Sequence, residues 1–284
     1  MPDGWGTVSS PVSRRSRWAT KIAVSVIEAR QLIFTIGVTS ASRILIMRDR
    51  LLGRIGRNEK SQAVAFRHTI FSGNNELDAV FVTPGANSAK ASVLVCHGIG
   101  ETVEHWLGVQ QLLAANGVAT LVFDYSGFGR SSGSFNARRC ERNAVSAFEF
   151  LQRLTGPLPV SVLGFSMGSG IAAAIVAKVP VHRLLLCAAF TSLRKAAVSA
   201  GVPKFLASAV PHIWDAEKAL AACSVPVLVV HGENDRLFPV RMAEELTACC
   251  GSQTELVIVP KLAHNEPFYR PHLSYWGRII SWLQ

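Results

Sequence analysis

From residue 92 onward the chain carries six short runs that are apolar almost throughout. They are SVLVCH (Ser92 to His97), ATLVFDY (Ala119 to Tyr125), VSVLGF (Val160 to Phe165), HRLLLCAA (His182 to Ala189), PVLVVHG (Pro226 to Gly232) and TELVIVP (Thr254 to Pro260). A strand with one wet face alternates apolar and polar residues, so continuous runs fit strands covered on both faces, as in a parallel sheet. Between them lie stretches of helical length: Val103 to Ala115, Arg138 to Leu154, Ser169 to Lys178, Arg241 to Cys250 and Pro271 to Leu283. Upstream, AVAFRHTIFS (Ala63 to Ser72) and ELDAVFVTP (Glu76 to Pro84), joined through Gly73, Asn74 and Asn75, read as an opening antiparallel pair. The pattern predicts an α/β fold with a mostly parallel, eight-stranded sheet flanked by helices. Ligands of such sheets bind beyond the carboxyl ends of the strands, which directs attention to the residues standing there.

Gly164-Phe165-Ser166-Met167-Gly168 falls where a predicted strand meets a predicted helix. A sharp turn there lifts Ser166 out of the sheet, and small residues two positions away on each side relieve the clash of a strained backbone. The strand Pro226 to Gly232 runs into a loop holding Asp235, three residues past the strand end, with Glu233 as its competitor. After the last strand comes His264, in KLAHNEPF. A serine nucleophile needs a base to take its proton and an ionised carboxylate to fix the imidazole tautomer, and the chain order Ser, Asp, His supplies them. HGIG (His97 to Gly100) follows the first buried strand, and its tight turn suits backbone N–H donors facing a developing oxyanion. The amides of Ile99 and Met167 are the two donors expected, with His97 ordering the loop. DYSGFGRSSG (Asp124 to Gly133) misses the spacing of a dinucleotide fingerprint and reads as a structural loop held by Asp124 and Ser131.

HGIG, DYSGFGRSSG, GFSMG, HGENDRLFP and AHNEPF together resemble the α/β-hydrolase superfamily, over about residues 65 to 284. More narrowly the chain resembles its small, nearly lidless serine hydrolases: the esterase, lysophospholipase and serine aminopeptidase-like branch. The resemblance implies Ser166 as nucleophile, His264 as general base and then acid, Asp235 as the orienting carboxylate, and an acyl-enzyme released by water. The cap of this superfamily would fall at about 190–225, here short enough for one helical hairpin. In it Phe205, Leu206 and Trp214 are expected to wall an apolar acyl site, while Asp215 and Glu217 are the only acids available for a peptide's amino terminus. The reading is a carboxylic-ester hydrolase acting on a small-molecule ester or acyl substrate. Its alternatives are an acyl-protein or acyl-CoA thioesterase, a serine aminopeptidase-like peptidase, and a catalytically inactive binding module.

Residues 1–60 differ from the catalytic domain expected at 61–284. They hold eleven Lys/Arg and four Asp/Glu, so +7 of the net +10 sits there. The apolar stretch from Ile22 to Val38 is broken by Glu28, Arg30 and Gln31, which argues against a signal peptide or a membrane span. Its periodicity predicts an amphipathic helix, followed by a second at ASRILIMRDRLLGRIG (Ala41 to Gly56). Residues 20–57 are thus expected to meet an anionic membrane surface as a peripheral contact, another subunit, or the domain itself. No RNA-binding signature accompanies the charge, so nucleic acid is not an expected partner. None of the six cysteines has the two-residue gap of a zinc or redox motif; no metal and no cofactor are expected, and the location expected is cytoplasmic, with membrane association through the extension. Deleting residues 1–57 decides the fate of the extension: loss of binding to anionic vesicles assigns it to the bilayer, and unchanged binding refutes a membrane anchor.

Overall fold

Eight strands pair into one sheet. They are β1 (Val64–Ser72), β2 (Asn75–Thr83), β3 (Ala91–Cys96), β4 (Val118–Phe123), β5 (Val160–Phe165), β6 (Leu184–Cys187), β7 (Val227–Gly232) and β8 (Thr254–Val259), in the spatial order β1-β2-β4-β3-β5-β6-β7-β8. The computed structural model describes residues 63–85, 89–251, 253–269 and 271–284. The expected extension at 1–60, with its contact surface at 20–57, lies outside the described residues. β1 pairs with β2 and β2 with β4 antiparallel; every other pairing is parallel. Strands expected from sequence coincide with those observed to within two residues at their ends.

Continuous apolar runs are required because successive side chains of each central strand enter different cores. In β3, Leu94 and Cys96 join one cluster, and Val93 and Val95 the other. β5 alternates likewise, Val160 and Val162 against Leu163 and Phe165. The first cluster is closed by α2 (Ala137–Thr155), α3 (Met167–Ile175), α4 (Leu193–Ser199), α5 (Ala216–Ala221) and α6 (Val240–Cys249). The second is closed by α1 (Val103–Ala115) and, after the short α7 (Glu266–Tyr269), by α8 (Leu273–Leu283). Each fully buried Leu, Val or Phe contributes about 1.5–3 kcal/mol, so an inward polar residue on either face would be felt. Cys96, Cys140 and Cys187 belong to these cores, where burial pushes their thiols up to about 12.

The region between β6 and β7 is expected to be short, about the length of one helical hairpin. It holds α4, a 3-10 turn at Lys204–Ala209, and α5. A 3-10 turn eclipses side chains three apart and gives no continuous apolar face, and no residue of this one is buried. Among the described residues no helix is long and apolar enough to cross a membrane.

The first turn of α3 packs on the end of β3 with no room between the two main chains. A Cβ at Gly168 would collide with the Cys96 carbonyl oxygen and lie 2.7 Å from that of His97. A Cβ at Gly164 would come within 2.6 Å of Ser169 Cα. Gly168→Ala should therefore destabilise the fold by about 1–3 kcal/mol or more, seen as a lowered midpoint in thermal or urea unfolding; an unchanged midpoint would disprove the close approach.

Candidate active site

The strand ends bring together the residues the sequence singled out. Ser166 stands between β5 and α3 at φ 52, ψ −117. A positive φ is unfavourable for a residue with a Cβ, and here it is over-determined. The Ser166 amide donates to Cys187 O at 3.0 Å, and Ser166 O accepts from the Ser169 hydroxyl at 2.7 Å and the Ser169 amide at 2.9 Å. The turn places Oγ 2.9 Å from His264 Nε2, and His264 Nδ1 lies 2.6 Å from Asp235 Oδ2. With Nδ1 donating to the carboxylate, Nε2 keeps the lone pair that accepts from the serine hydroxyl. Ser166 is fully buried, and Asp235 and His264 nearly so.

Asp235 is held from several sides. Oδ1 accepts from the amides of Leu237 (2.9 Å) and Phe238 (2.8 Å). Oδ2 faces His264, with His231 Nε2 3.3 Å away on the other side. Burial pushes this carboxyl up, but the His264 charge and the hydrogen bonds from His231 and His264 outweigh it, leaving it well below the usual carboxylate range. His231 also donates to Phe238 O at 2.9 Å, so it stiffens the turn that presents the acid. Glu233 takes no part in this group; it accepts from the Lys261 amide at the surface. The His264 ring is walled by Phe165 (5.6 Å between centroids) and Phe238 (5.3 Å).

Ile99 and Met167 are both buried, on the β3–α1 loop and at the first position of α3. A first-position helical amide has no partner within its own helix, and among the described turn and loop bonds neither amide finds a backbone acceptor. The N-terminal end of α3 also directs its positive dipole at the serine turn. His97 is wholly buried beneath, its Nδ1 donating to Gly98 O at 2.7 Å. Burial lowers its imidazole to about 4, so it is neutral and orders the loop. Asp124 caps α1 by accepting from the Val103 amide at 2.9 Å, and Ser131 donates to Asp124 O at 2.7 Å. Burial raises the Asp124 carboxyl to about 7.

Of the three lid residues expected at the acyl site, Trp214 is buried, its Cβ against Gly170 of α3. Phe205 and Leu206 are instead 79% and 48% exposed on the 3-10 turn, so they wall no enclosed pocket. Sequence reasoning missed Glu101, which follows HGIG immediately. Its side chain turns inward, Oε2 accepting from the Gly98 amide (2.8 Å) and Trp106 Nε1 (2.9 Å). Burial raises this carboxyl to about 8. Among the described residues no group of three or more His, Cys, Asp or Glu is arranged to hold a metal ion.

A serine on a strained strand-to-helix turn, backed by a histidine and a carboxylate from later strand ends of a mostly parallel sheet, defines an α/β-hydrolase architecture. The fold is that of the α/β-hydrolases. Residues 87–215 match the family model described as serine aminopeptidase, S33. Over 182 residues the chain is 28% identical to an uncharacterized protein of Mycobacterium tuberculosis, covering 62% of this chain and 63% of that one. It is 26% identical to the lysophosphatidylserine lipase ABHD12 of Danio rerio, covering 60% and 50%. The chain thus spans between half and under two thirds of the length of these relatives. In structure it is similar to the Pyrococcus furiosus esterase Pf2001, with TM-score 0.65 at 19% identity over 78% of this chain and 92% of that one. A putative hydrolase of Agrobacterium vitis superposes with TM-score 0.61 at 17% identity over 78% and 100%.

The raised Glu101 carboxyl has a signed consequence. It protonates near 4.5 in the unfolded chain and near 8 in the folded one. Between those values the folded state holds the extra proton, and the stability of the fold falls as pH rises through the window. Glu101→Gln removes that loss, so its melting temperature should climb relative to wild type from pH 5 to pH 8. A difference independent of pH would contradict an ionisable Glu101 buried in the fold.

Proposed function

We propose that the protein is a carboxylic-ester hydrolase that works through an acyl-enzyme on Ser166. The observation that carries this is the hydrogen-bonded chain from Ser166 Oγ through His264 to Asp235, at 2.9 and 2.6 Å. His264 takes the serine proton as Oγ attacks the acyl carbon, and returns it to the departing alcohol. Asp235, kept ionised, stabilises the imidazolium between those steps. The amides of Ile99 and Met167 receive the charge that develops on the carbonyl oxygen. Water then enters, His264 again serving as base, and the carboxylic acid leaves.

The names of the lipase and esterase relatives support an ester over an amide. The serine aminopeptidase family model would favour a peptidase, but the residues weigh against it. Asp215 is occupied capping α5, where it accepts from the Lys218 amide at 3.0 Å, and Glu217 pairs with Lys195 at 2.8 Å. Neither is left to bind a peptide's free amino group. The exposed Phe205 and Leu206 suit an acyl chain that enters along the surface of the lid more than one swallowed in a closed tunnel.

A fluorophosphonate probe should label the wild-type protein and leave Ser166→Ala unlabelled; a folded wild type that resists the probe rules out a serine hydrolase. A panel of p-nitrophenyl esters of increasing chain length, with an acyl thioester and an aminoacyl amide alongside, should show hydrolysis of esters above the amide by at least tenfold. Faster turnover of the thioester would reassign the protein as a thioesterase.

A further inference from the structure

We propose that Glu101 is a positioning residue for the acyl-transfer site, holding the amide of Gly98 so that the next amide, that of Ile99, faces the oxyanion. The role rests on the ester-hydrolase reading above and names a residue that reading does not use. Three observations carry it. First, Glu101 leaves the loop HGIGE by turning back underneath it, and one oxygen bridges Gly98 N–H and the Trp106 indole N–H at 2.8 and 2.9 Å. Second, the carboxyl is packed against the loop itself: a Cβ on Gly98 would stand 2.7 Å from Oε1, and that oxygen is buried with no hydrogen-bond partner among the described residues. Third, Trp106 is a wholly buried residue of α1 that meets Phe165, next to the nucleophile, edge to face at 5.9 Å. One carboxyl oxygen therefore ties the loop to the helix that abuts the serine turn.

The physical case is one of main-chain rotation. Peptide planes are rigid, so the direction of the Ile99 amide follows from how the preceding residue is held. The Gly98 carbonyl is fixed by His97 Nδ1 at 2.7 Å, and the His97 carbonyl accepts from the Tyr125 hydroxyl at 3.2 Å. Glu101 supplies the remaining restraint, an acceptor for the Gly98 N–H. A buried amide deprived of its acceptor seeks another, and glycine, lacking a Cβ, rotates readily to find one. Rotation at Gly98 swings the Ile99 amide away from the acyl oxygen. Burial that raises the carboxyl to about 8 agrees with a group that accepts while neutral near pH 7.

The test uses the full chain and two near-isosteric variants. Glu101→Gln keeps an acceptor oxygen; Glu101→Met keeps volume and removes it. With p-nitrophenyl acetate, Glu101→Met should lose about 10- to 100-fold in kcat with KM within about threefold, the pattern of a weakened oxyanion donor. Glu101→Gln should restore kcat to within about threefold of wild type. Wild-type kcat in Glu101→Met, or an equal loss in both variants, overturns the role. If Glu101→Met does not fold, Trp106→Phe replaces it: that change removes the indole donor together with part of the buried ring, and about a three- to tenfold lower kcat is expected, whereas wild-type kcat overturns the proposal. Fluorophosphonate labelling of the wild type separates the two levels. An unlabelled wild type sinks the hydrolase reading, while a labelled wild type beside a fully active Glu101→Met sinks only the positioning role.

Discussion

A carboxylate buried against apolar side chains stays ionised only if its oxygens are met by donors and positive charge, and the site at the strand ends depends on Asp235 satisfying that condition. Two amides of its own turn fill one oxygen, and two imidazoles face the other. The turn that provides those amides is short because β7 ends at Gly232, where a Cβ would collide with the Leu262 carbonyl oxygen. That contact brings the β8 loop, and with it His264, onto the acid. The tautomer of His264, and hence the lone pair offered to Ser166, follows from the state of Asp235.

Around Asp235 three other buried ionisable groups are held toward their neutral forms. His97 is lowered, Glu101 and Asp124 are raised, each chiefly by burial. In the proposed acyl transfer, negative charge develops on an acyl oxygen, and a surround with few competing charges serves it because fixed dipoles act more strongly where the dielectric is low. Asp235 is ionised because its neighbours are arranged for it; Glu101 and Asp124 meet fewer donors.

The sheet was legible because its signal is local: six runs of strand length, each apolar on both faces, leave few alternatives to buried parallel strands. Ser166, Asp235 and His264 could be picked out because each stands just beyond such a run, and the structure brings those three side chains into one hydrogen-bonded chain. The lid was harder. Its residues are alanine-rich with no sustained period, and the turn at 204–209 depends on contacts made elsewhere, so Phe205 and Leu206 looked like an apolar wall and are instead solvent-facing. Glu101 and His231 were not singled out as partners of the site because their contacts exist only once the loops have turned, α1 setting Trp106 against Glu101 and the Asp235 turn closing over His231. An acid directly after HGIG was the available signal, since a charged residue beside a tight glycine turn needs a reason to be there.

The meeting of Gly168 with the carbonyls of Cys96 and His97 divides labour between main chain and side chain. In the proposed reaction the oxyanion donors are peptide amides, so residues 99 and 167 contribute through their main chain and not through the chemistry of their side chains. The Ile99 and Met167 side chains are buried members of one apolar core, so they answer to packing there. Under the proposed reaction, a substitution at either position that preserves this packing leaves the donor amide itself in place.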